Sequence, residues 1–144
     1  LVKRSLMYLR LLIGEAMRMS VDAEARIKQD ILLEIQVLDQ NYRILSGFIT
    51  GQDYDPATVG NSMQTFKDSL SRASAYVLAL YNLKGRHVNI PWEQLFTNLD
   101  FAIATLAGAA SVKQRDAVRS TLAMSQTQMR EVLNYFYALK ESLK

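Results

Sequence analysis

Apolar residues recur at spacings of three and four along nearly the whole chain, and no stretch sustains the period-two alternation of a strand. The cleanest stripe is Ala23, Ile27, Ile31, Ile35, Leu38, Tyr42, Leu45 and Ile49, all on one face of a helix. GQDYDP, residues 51–56, predicts the end of that helix and the start of another. Gly51 suits a left-handed cap, Asp55 an N-cap and Pro56 a first helical position. A second stripe runs through Val59, Met63, Phe66, Leu70, Ala73, Val77 and Leu80, and Gly85 closes it. Pro91 then opens a shorter helix with Trp92, Leu95, Phe96, Leu99, Ile103 and Leu106 inward. AGAA, residues 107–110, offers small residues where helices can approach closely. Ser111 and Gln114 stand at capping-box spacing and begin a last helix that buries Val118, Leu122, Met129, Val132, Leu133, Phe136 and Leu143. The pattern predicts an all-α, antiparallel up-down bundle of four to five helices in one domain over residues 1–144.

The helix count turns on the first fifty residues. Ser20, Asp22 and Glu24 look like a new helix start. Against this, Glu15, Arg18, Asp22, Arg26 and Asp30 form a ladder of opposite charges at i+3 and i+4, and the apolar stripe passes Ser20 in register. One long helix and a tight hairpin both fit. The hairpin, with a break near Ser20, is favoured because a compact domain rarely carries a lone helix of about fifty residues.

Composition narrows the chemistry more than the fold. At 144 residues the chain is long enough to bury a core, and 49% hydrophobic with 22% charged residues is globular rather than disordered. Cysteine is absent, which removes disulfides, thiolate catalysis and zinc–thiolate sites. The net charge of +3, without a basic run, permits an acidic partner but is no nucleic-acid signature. Neither LMYLRLLIG, interrupted by Arg10, nor LFTNLDFAIATLAGAA, carrying Asp100, is apolar for the roughly 18 residues a membrane span needs. With no cleavage-site pattern at its start, the chain reads as soluble or peripheral, compatible with the mature form of a processed precursor.

One histidine cannot supply the paired Glu-x-x-His ligands of a di-iron bundle, and neither a G-x-S-x-G motif nor a glycine-rich phosphate loop is present. Among the acids, Asp30 with Glu34 falls on a charged face and Asp53 with Asp55 in a turn. No cofactor, no metal and no enzymatic activity are therefore expected.

KGRHVNIPWEQL, residues 84–95, holds the only histidine and the only tryptophan. The plain reading makes Trp92 the first inward residue of its helix and His87 a solvated turn residue. The functional reading makes Lys84, Arg86, His87 and Trp92 a recognition elbow, charge beside a flat aromatic. Lys113, Arg115 and Arg119 crowd the start of the last helix, where they oppose its dipole and hint at a second contact site; the plain alternative is an ordinary solvated face. Lys3, Arg4 and Arg10 likewise have few acidic neighbours. The methionines at 17, 19, 63, 124 and 129 read as core or seam filler.

YLRLLIGEAMRMSVDAEARIKQDILLEIQVLDQ, residues 8–40, resembles the PsbQ family in a tyrosine-led helix (Tyr8, Leu9, Arg10), a charged connector (Ala25, Arg26) and a following helix that ends in a hydrophobic–Asp pair (Leu38, Asp39). GQDYDPATV is similar to that family's next connector. In a second placement LFTNLDFA and EVLNYF resemble its last two helices. The resemblance implies a four-helix bundle in the thylakoid lumen, peripheral to the membrane. It also implies a non-enzymatic extrinsic subunit that docks on photosystem II and helps maintain the oxygen-evolving site, its basic residues facing acidic neighbouring subunits. A ligand-sensing bundle domain of a membrane receptor is the reading from another class, and a general helical scaffold or chaperone a third.

Overall fold

The computed structural model describes residues 2–90, 92–107 and 112–143, with the side chains of residues 2–4, 16, 20, 107, 112 and 113 excepted. Four helices follow in order: α1 (Val2–Ile49), α2 (Pro56–Leu83), α3 (Glu93–Ala107) and α4 (Val112–Ser142). Each packs against its neighbours in a ring, α1 on α2, α2 on α3, α3 on α4 and α4 back on α1. Consecutive helices are antiparallel, as the cross-links below require. The chain is an all-α four-helix bundle.

The expected break near Ser20 is absent, and α1 continues through it as one helix of 48 residues. Serine and aspartate carry only a small helix penalty. They are surrounded by Ala, Met and Glu, and neither Gly nor Pro occurs between Glu15 and Ser46. At 1.5 Å per residue α1 is about 72 Å long, against about 42 Å for α2. The difference is an overhang. Glu24 of α1 reaches Lys84 at the C-cap of α2, and the first core residue of α1 among those described is Ile31.

Both long helix ends close as the glycines predict. Gly51 takes φ +103°, with its N–H on the Phe48 carbonyl and the Gln52 N–H on the Gly47 carbonyl. Gly85 takes φ +68°, with its N–H on Asn82 and the Arg86 N–H on Tyr81. Each is a Schellman arrangement that satisfies the last carbonyls of its helix. Asp55 holds the N-cap position of α2 ahead of Pro56, but its side chain makes no capping bond. Pro91, Ser111 and the AGAA stretch lie outside the described residues, apart from the Ala107 backbone.

The core follows the stripes. Ile31, Ile35, Leu38, Leu45 and Phe48 of α1 meet Val59 to Leu80 of α2, Leu95 to Leu106 of α3 and Val118 to Leu139 of α4. α3 is half the length of its neighbours. The extended segment before it covers the remainder of that lane, packing Val88 and Ile90 against the core.

Candidate functional site

The elbow divides into parts that serve the fold and parts that do not. Trp92 is buried, with its ring centroid 5.2 Å from Tyr135, edge to face, and 5.4 Å from Phe136. Its carbonyl accepts the Phe96 N–H, so it starts α3 and pins it to α4. The plain reading of Trp92 therefore holds, and it is not available as a contact aromatic. Lys84 caps α2 and sends Nζ to within 3.4 Å of Glu24 Oε1, an oxygen it shares with Lys28 at 3.3 Å. The Lys28 hydrogen bond, opposed by partial desolvation and helped by Lys84, holds the Glu24 carboxyl below its ordinary value. Arg86 and His87 remain exposed on the connector.

The basic start of α4 also turns inward. Arg119 Nε donates to the Phe48 carbonyl at 2.6 Å, its guanidinium lies 4.6 Å over the Phe48 ring, and Nη1 pairs with Asp116 at 2.7 Å. A cation at the C-terminus of α1 is favourable, so the charge that opposes the α4 dipole caps a different helix. Arg115, one turn earlier, is half-buried, and its Nε has no partner among the described residues. The Lys113 side chain lies outside the described residues.

Several polar residues act across helices in ways the sequence did not announce. Glu34, expected on the charged face, sits instead at the α1–α2 seam. Its Oε2 accepts from Ser69 Oγ at 2.6 Å and its Oε1 from Arg72 Nε at 2.9 Å. Tyr42 joins α1 to α4 by accepting from Arg130 Nε at 3.0 Å. Tyr137 of α4 donates to Asp39, and burial first, then that bond, push its phenol up to about 12. Lys67 pairs with Asp100 to tie α2 to α3. The charged groups of the bundle seams are thus structural links. A groove of about 490 Å³ between the start of α2 and the end of α3 is lined by Pro56, Gly60, Asn61, Gln64 and Leu106 among others, none of them titratable. No group of three His, Asp or Glu side chains gathers as a metal set among the described residues.

The largest departure from expectation is on α1. Every large apolar side chain described from Leu6 to Val21 is at least 45% exposed, Met17 and Met19 at 65% and 69%. Met63 and Met129 are core, as predicted, but Met17, Met19 and Met124 are not filler; they face solvent. Arg10, on the same overhang, is exposed too. No helix among the described residues is long and apolar enough to cross a membrane. Compared with protein-family models, with curated proteins and with solved structures, the chain matches none.

Proposed function

We propose that this chain is a non-enzymatic accessory subunit that acts by docking on a larger membrane-associated assembly. The observation that supports the reading is a surface: the overhang of α1 exposes Leu6, Leu9, Leu12, Ile13 and Met17. Contiguous apolar surface of this extent marks an association site. The resemblance to the PsbQ family suggests the assembly, the lumenal face of photosystem II, with Arg86 and His87 of the elbow meeting acidic subunits. Such docking weakens with salt.

A salt-wash fractionation of the source organism's membranes, with the protein followed by mass spectrometry, tests this. Release from photosystem-containing membranes by high salt is expected. Absence from those membranes, or retention until detergent is added, would reject the photosynthetic reading.

One observation favours a second reading. α1 and α4 pack side by side and antiparallel, so the first turns of α1 and the last turn of α4 point to the same end of the bundle. A sensor domain held between two membrane spans has that geometry. Spans flanking this stretch in the full gene would support it.

A further inference from the structure

The short third helix leaves a gap at one end of the bundle. α2 and α4 stand on a diagonal of the ring, with α3 between them on one side. Because α3 begins only at Glu93, the last turns of α2 and α4 have no helix between them there. The connector packs Val88 and Ile90 against the core and fills part of that lane. The rest is open. Two adjoining depressions of about 270 and 230 Å³ lie in it, sharing Tyr81 of α2 with Leu139 and Ser142 of α4.

Together they form a cleft with two kinds of wall. Its floor is apolar: Leu80 and Leu139 belong to the core, and Leu143 packs against it. The inner half is flanked by the rings of Tyr81 and Tyr135, the latter edge to face with Trp92. The outer half carries Lys84 and Arg86. No acidic side chain lines either half. The Ser142 hydroxyl is taken up by the Leu139 carbonyl at 2.7 Å.

Two cations with no facing carboxylate call for an anion. Lys84 does meet Glu24, but from α1 and through an oxygen that Lys28 also holds. Arg86 is exposed and pairs with no acid among the described residues. A guanidinium takes a carboxylate through two parallel hydrogen bonds, and the apolar floor suits whatever body is attached. An apolar cavity of about 150 Å³ holds a benzene, so each depression has room for one ring or a short alkyl chain. A second charge on the ligand would fall on Leu80 and Leu139, where it is costly to desolvate.

We infer that the cleft between the last turns of α2 and α4 binds a small monocarboxylate with a compact apolar body. The carboxylate lies on Arg86 and Lys84, and the body between Tyr81, Tyr135 and Leu139. Burial first, then the neighbouring Tyr81, push the Tyr135 phenol above its ordinary value, so it stays a neutral donor beside the anion. The site goes beyond the docking reading and does not need it.

Benzoate is the probe, titrated into the 144-residue chain at low ionic strength and followed by calorimetry and NMR. Saturable binding is expected, with shifts at residues 80–86 and 135–143 and a change in the fluorescence of Trp92, the only tryptophan. Benzamide has the shape without the charge and acetate the charge without the ring. Each should bind at least about tenfold more weakly. Arg86→Gln should lose about tenfold, and Ala138→Phe, which fills the cleft from α4, should abolish binding. Both positions are exposed, so thermal melts of the variants should stay cooperative. No saturable binding, benzamide as tight as benzoate, or shifts confined to the groove by Pro56 would overturn the inference. So would an affinity that survives both Arg86→Gln and Lys84→Gln. Arg86 also belongs to the elbow of the docking reading, but the salt wash reports on the assembly and the titration on the isolated chain, so either can fail alone.

Discussion

Arg119 occupies a position where a cation costs its own helix, and the reason is 71 residues away in the chain. Its hydrogen bond to the Phe48 carbonyl and its place over the Phe48 ring fix the last turn of α1 to the second turn of α4. Arg119→Met keeps the stem and loses the head, and should lower stability by about 1–3 kcal/mol in urea unfolding. Trp92→Ala removes the hinge of an aromatic cluster and should cost about 3–5 kcal/mol in the same assay. A stability change near zero would return Trp92 to the surface. The inward direction of Trp92 was legible because it begins a helical stripe. The inward turn of Arg119 was not, since no local spacing names a partner on another helix. Tyr137 adds a pH dependence. Unfolded, a tyrosine ionises near pH 10; folded, Tyr137 does so at about 12. Folding therefore favours the neutral phenol. The contribution is complete below about pH 10 and lost as pH rises toward 12. Wild-type melts should fall more steeply across that window than those of Tyr137→Phe, which has no phenol to ionise.

At the scale of elements, the glycine within the exposed part of α1 and the glycine just past its end call for opposite expectations. Gly51 sits at φ +103°, so Gly51→Ala forces a left-handed alanine and should cost about 1–2 kcal/mol. Gly14 lies within the helix, and an added Cβ there meets nothing within 4 Å. Gly14→Ala should instead raise helicity, by about 0.5–1 kcal/mol of local preference, visible in far-ultraviolet circular dichroism. The stripes of α2, α3 and α4 were legible in the main, as were both glycine caps, although Ala102 and Leu139 joined the core unannounced and Phe96, Ile103 and Leu143 are only partly buried. The Ser20 break was not found, because local capping signals state where a helix can begin and not that one must. The ladder from Glu15 to Asp30 was the better guide. Glu34 was misplaced for a related reason: periodicity assigns a face, but a carboxylate at the edge of that face follows its partners, here Ser69 and Arg72.

For the molecule as a whole, the overhang and the bundle differ in how they are held. Fully buried core residues of α1 begin at Ile31 among the described residues, and the large apolar side chains described from Leu6 to Val21 are exposed. Hydrogen exchange should show this. Amides of residues 5–22 should exchange far faster than those of residues 31–48. The absence of core residues between Leu6 and Val21 also bears on descent. A substitution between Leu6 and Val21 changes what the protein associates with while the fold registers almost nothing, so this stretch is free to diverge quickly. Relatives would then share the bundle and differ in their partners.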